Sequence, residues 1–171
     1  GAAPRAQMPA AEKTELVAAV AAVVSEALGA FPPGLKIAPD IHYGGLLETV
    51  ADCERYFALC PDPRAGITLN IGHMTTLGEP GWRLIEEHPD RVHVIAWKDH
   101  LVPPPPGATH PVYSVELGTG QSPFARYVQA AKPLDHGQWL HLITFEHVPL
   151  ADKKAALGRS RGYLERLWEA G

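Results

Sequence analysis

"GITLNIGH", residues 66–73, is an aliphatic run that stops at a carboxamide and, three positions on, an imidazole. β-branched and apolar residues bounded by Gly66 predict a buried strand. Polar residues at its end then need a reason, because a buried strand with polar tips delivers those tips somewhere. The same punctuation recurs in "RVHVIAWKDH" (residues 91–100) and in "WLHLITFEH" (residues 139–147). It is present earlier as well, in "LKIAPDIH" (residues 35–42).

Between these four strands the spacing of apolar residues changes to three and four, the helical period. Helices are predicted over 12–28, 46–59, 80–88 (opened by Pro80), 122–132 and 151–169. Residues 101–121 contain "PPPP" and "VYSVELGTG", and read as a long loop with a short edge strand. The order is α-β-α-β-α-β-α-β-α. Strands separated by helices of this length pair in parallel through right-handed crossovers, which makes the class α/β. A doubly wound sheet would favour a glycine-rich phosphate loop, and neither GxGxxG nor a P-loop occurs. A parallel (βα) barrel of TIM type instead presents strand C-terminal ends on one face. This chain places Asp40 and His42, then Asn70 and His73, then Lys98, Asp99 and His100, then Glu146 and His147 at those ends. One shared site explains the set better than four coincidences.

Composition narrows the function. The 171 residues are 46% hydrophobic and 20% charged, sufficient for one core, and residues 1–171 are read as a single domain. A net charge of -4 argues against a nucleic-acid face. The apolar stretch 16–28 is too short to span a bilayer, so no membrane role is expected. Cys53 and Cys60 lie about two turns apart on one helix and read as free packing thiols of a cytoplasmic protein. Trp82, Trp97, Trp139 and Trp168 read as packing residues. Carboxylates, imidazoles and a carboxamide converging on a cleft suit a hard or borderline divalent ion. Such an ion can hold adjacent oxygens of a hydroxy-carbonyl compound while a carboxylate moves a carbon-bound proton.

Taken in order, "LNIGHMTTLGEP", "VHVIAWKDH", "VELGTGQSPFARYV" and "WLHLITFEHV" resemble the C-terminal half of the xylose isomerase-like TIM barrels, the sugar phosphate isomerase/epimerase family. The resemblance runs from about residue 12 onward. It implies a metal-dependent sugar or hydroxy-carbonyl isomerase or epimerase, acting by carboxylate-mediated proton transfer through an enediolate on a small sugar-like substrate. It implies Glu146 and Asp40 as catalytic residues, His73, Lys98 and His42 as substrate-binding, and Asp40, Asn70, His73 and Glu146 as metal ligands. The implied cofactor is a divalent ion (Mn, Mg, Co or Zn), weakened or lost where this chain departs from the pattern.

The departures are specific. The family's Asp-x-x-His is here Asn70 and His73, and the His of His-x-Lys-Asp is here Ala96. Asp40 stands one carbon shorter than the family's first Glu. Lys98 has two readings, a solvated strand-end lysine or a cation that pairs with an anionic substrate or fills the vacant ligand space. These losses favour an alternative function, a degenerate non-catalytic relative kept for binding or assembly. A phosphodiester-cleaving relative of the apurinic endonucleases would need more His and Asp ligands and a basic face. Only about four βα units are present, where a closed barrel needs roughly 200 residues or more. The expected partner is therefore a missing N-terminal half-barrel or a second copy.

Overall fold

The computed structural model describes residues 8–134, 140–146 and 151–170. Among these residues six helices and five strands follow in chain order: α1 (Ala10–Ala30), α2 (Val50–Leu59), β1 (Ile67–Asn70), α3 (Ile71–Leu77), α4 (Trp82–Glu87), β2 (Val92–Trp97), β3 (Asp99–His100), β4 (Ser114–Val115), α5 (Phe124–Ala131), β5 (Leu140–Ile143) and α6 (Lys153–Ala170). The main sheet has the order β1-β2-β5, parallel throughout, with Asn70 beside Ala96 and Ala96 beside Leu142. The α/β class and parallel pairing are as the sequence predicts.

The first expected strand, 35–42, joins the outer edge of β1 through parallel bridges at Ile37 and Asp40. Its ladder is interrupted at a definable point. Ile37 N–H donates to Arg64, Gly66 N–H to Ile37, Thr68 N–H to Pro39 and Ile41 N–H to Thr68. The residue in the middle of this series is Pro39, which has no N–H to give. The segment is thus an edge strand with one rung removed, consistent with proline's confinement to sheet edges.

Three boundaries differ from the sequence reading. "GITLNIGH" does not continue as strand to His73; the chain turns at Asn70 and α3 begins at Ile71. Gly72 makes this possible, since any Cβ there would run into the His100 ring. "RVHVIAWKDH" divides at Lys98, because β3 leaves the parallel sheet to pair antiparallel with β4. Helix α2 starts at Val50 rather than 46, where Thr49 and Asp52 form a reciprocal capping box. Asp52 and Glu48 both receive the Lys13 ammonium, at 2.6 and 3.1 Å, which pins α1 to the start of α2.

The core lies between sheet and helices. Ile67, Leu69, Ile95 and Trp97 from the strands pack with Leu28, Tyr56, Leu84, Phe124 and Tyr127 from the helices, all buried. Trp97 packs against Phe124 and Trp168, and Trp82 sits edge-on to Tyr127, as expected of packing tryptophans. Trp139 lies outside the described residues. Cys53 and Cys60 are buried free thiols, and the Ser25 hydroxyl donates to the Cys60 sulfur. No helix among the described residues is long and apolar enough to cross a membrane.

Candidate functional site

Side chains alternate across a strand, so with Trp97 committed to the helix layer, Ala96 and Lys98 project to the opposite, inner face. Lys98 is 1% exposed, and its Nζ lies 2.8 Å from Oε1 of Glu146, just beyond β5. The solvated reading of Lys98 is therefore excluded. A buried ammonium requires a counter-charge, and Glu146, 35% exposed, provides it.

The second Glu146 oxygen faces two imidazoles. Oε2 lies 3.5 Å from Nε2 of His73 and 3.9 Å from Nε2 of His42. The two rings are 3.9 Å apart between centroids. His73 comes from the first turn of α3, and its Nδ1 accepts the Tyr43 backbone N–H at 3.1 Å. In the neutral ring the proton then sits on Nε2, directed at Glu146. His42 lies in the segment after the edge strand, held by its Nδ1 contact with the Tyr43 carbonyl. Gly44 N–H donates to Glu48, tying that segment to the Lys13 network.

Asp40 and Asn70 form a second pair on the same side of the sheet. Asn70 Nδ2 makes long contacts of 3.4 and 3.5 Å to the Asp40 carboxylate. Its Oδ1 is buried and has no hydrogen-bond partner among the described residues. Desolvation raises the Asp40 pKa, opposed by the Asn70 hydrogen bond and the Lys98 charge. Because the side chain still reaches solvent at the rim, that penalty is partly relieved.

The positions bearing these groups are fixed from behind. The Asp99 carboxylate accepts three backbone N–H bonds, from Gly118, Gly120 and Ser122, at 2.8–2.9 Å. Ser122 Oγ donates to the Lys98 carbonyl, and Ser114 Oγ accepts the Glu146 N–H. His100 is fully buried, 2.7 Å from the Thr76 hydroxyl, and burial with the nearby Lys98 charge lowers its pKa to about 4. It is a neutral packing residue behind His73, whose ring it meets edge-on.

The structure thus brings His42, His73, Lys98 and Glu146 together, with Asp40 and Asn70 adjoining. The ligand atoms of His42, His73 and Glu146 all lie within 4.8 Å of one another, a spacing at which they could hold a metal ion. Asp40, expected in that set, is replaced in it by His42. His147 lies outside the described residues. Sequence reasoning missed Ser114, Ser122 and the anchoring role of Asp99. The signal for the last was "GTGQS", a run of small residues able to turn several N–H groups toward one acid.

Solved structures identify the architecture. A xylose isomerase domain protein from Alicyclobacillus acidocaldarius subsp. acidocaldarius superposes with a TM-score of 0.67 at 18% identity, over 95% of this chain and 60% of that one. The chain has the xylose isomerase-like TIM-barrel fold. The IolI protein, whose structure has a zinc atom bound, gives 0.72 at 16% identity, over 92% of this chain and 58% of its own. The probable 3-DHS dehydratase AsbF from Bacillus anthracis gives 0.63 at 13%, over 95% and 58%. Neither a scan of protein families nor a search of curated proteins gives a match. The chain spans about 60% of the length of the structures it resembles, which is a partial barrel.

Proposed function

We propose that this xylose isomerase-like partial barrel provides the catalytic face of a metal-assisted isomerase or epimerase of small sugar-like hydroxy-carbonyl compounds. The observation that carries the reading is Glu146, one carboxylate facing a buried ammonium through one oxygen and two imidazoles through the other. Parallel strands that end on one face are the usual place for such a group.

The donor set suits a borderline divalent ion. His42, His73 and Glu146 would hold it, and the buried Asn70 Oδ1, without a hydrogen-bond partner among the described residues, offers a further oxygen. Such an ion acts as a Lewis acid on a carbonyl oxygen when bound. The hold is weakened by the neutral Asn70, by Ala96 and by the Nε2 proton of His73.

The chain's own groups supply the proton chemistry. Glu146 accepts a proton from the carbon between hydroxyl and carbonyl, leaving an enediolate. The Lys98 ammonium stabilises the negative oxygen that develops, in a setting sheltered from water. For isomerisation Glu146 returns the proton to the neighbouring carbon while the hydroxyl proton passes to the former carbonyl oxygen, so that the carbonyl exchanges places. For epimerisation Asp40, its pKa raised, serves as second proton carrier for return to the opposite face of the same carbon. His73, His42 and Lys98 orient the substrate oxygens. The remaining wall of the barrel, from an N-terminal half or a second copy, closes the cavity.

A second reading is a non-catalytic relative used for binding or assembly, favoured by Ala96 and Asn70. Calorimetric titration with Mn²⁺ and Zn²⁺, before and after Glu146→Gln, separates the two. One ion bound by the wild type and lost in the variant supports the enzyme; no binding at millimolar ion supports the relic.

A further inference from the structure

We infer that the Lys98 ammonium is the resident cation of this site and competes with a divalent ion for the Glu146 carboxylate. This rests on the metal-assisted reading above and adds a residue that sets how tightly the ion is held.

The geometry sets the two occupants against each other. Lys98 Nζ is in direct contact with Oε1 of Glu146, and the candidate ligand atoms of His42 and His73 face Oε2 of the same group. The two oxygens of one carboxylate are only about 2.2 Å apart, so an ion on Oε2 and an ammonium on Oε1 would stand a few ångströms from each other. Between two cations at that range, in a partly dry site, repulsion is strong and salt screens it little.

Charge accounting points the same way. Glu146 is the one carboxylate in the candidate ligand group of His42, His73 and Glu146, and Lys98 already neutralises it. An ion entering this group meets no net negative charge, where the same group without Lys98 would present one. The ammonium cannot withdraw to solvent, since its side chain is 1% exposed and its backbone is fixed by Ser122. Its neighbour two positions back is Ala96, which contributes no ligand in compensation. The site consequently contains an oxyanion-stabilising positive charge even when no ion is bound.

The test is ion affinity in the full chain, read by calorimetry with Mn²⁺ and, in parallel, by loss of the free Mn²⁺ paramagnetic resonance signal. Lys98→Met removes the charge and keeps most of the volume; Lys98→Gln is a second neutral variant should the first fail to fold, with thermal melting as the folding check. The expected result is Mn²⁺ bound at least ten-fold more tightly by the neutral variant than by wild type, and no gain in Lys98→Arg. A silent wild type with a binding neutral variant also supports competition, while removing metal assistance from the wild-type function. A wild type that binds Mn²⁺ as tightly as the neutral variant overturns competition and leaves metal assistance standing. Absence of binding in every variant overturns both.

Discussion

Lys98 and Glu146 meet at 2.8 Å just beyond the ends of β2 and β5, which are far apart in sequence, and the lysine is almost wholly buried. Removing one partner strands the other. Glu146→Gln should lower unfolding stability by roughly 2 kcal/mol, less than the 3–5 kcal/mol of a fully buried pair because Glu146 is a third exposed. Adding Lys98→Met should recover most of the loss. Urea denaturation of the two single variants and the double variant measures this; a double variant no more stable than the worse single would show that the charges are not coupled.

Asp99 gathers three backbone N–H groups around one carboxylate. Asp99→Ala leaves them without that acceptor and should cost about 3 kcal/mol. It should also reduce proton-transfer activity, because Ser122 and Lys98 lose their common anchor. Gly120→Ala should behave similarly, since its Cβ would collide with the Asp99 side chain and the His100 carbonyl. Hydrogen exchange at residues 116–122 would report the loosening, and unchanged protection would contradict it.

The buried His100 carries a pH dependence whose sign follows from its lowered pKa. The folded value is about 4 and the model-peptide value 6.5, so protons bind the unfolded chain more tightly. Stability from this residue is fully present above pH 6.5 and falls as pH drops toward 4, by about 3 kcal/mol in all. Denaturation midpoints at pH 7 and pH 5, with and without His100→Gln, test it. The variant should lose less stability on acidification than the wild type; an equal loss would place the dependence elsewhere.

Asp40 separates stability from activity. Its raised pKa means that the ionised carboxylate is disfavoured in the fold, so its contribution is present below pH 3.8 and lost as pH rises through the folded value. Asp40→Asn should therefore leave stability at pH 7 unchanged or higher while reducing epimerisation. Thermal melting at pH 7 and again at pH 4 reads the first part. A lower melting temperature at pH 7 would show that Asp40 is a structural anion instead.

The alternation of strand and helix was legible because periodicity survives without tertiary information, and the polar strand tips announced a shared face. Their pairing was not legible. Nothing local to "AWKDH" says that its lysine is buried, because the group that permits burial, Glu146, arrives from another strand. His42 read as a substrate contact for the same reason: its nearness to His73 is created by the fold. The strand-to-helix change after Asn70 was hidden because Ile71 and Gly72 suit either state, and contact with His100 decides it. Pro39 did carry a local message, a missing donor, which the edge ladder shows directly.

Proton transfer at carbon, carried by Glu146, is tested most directly by incubation in D₂O with a panel of small ketoses and hydroxyaldehydes, with and without Mn²⁺. The readout is deuterium at the carbon next to the carbonyl, followed by NMR. Exchange with at least one compound by the wild type, at least a hundred-fold slower in Glu146→Gln, is the expected result. Exchange that continues undiminished in Glu146→Gln would contradict the central role of that carboxylate.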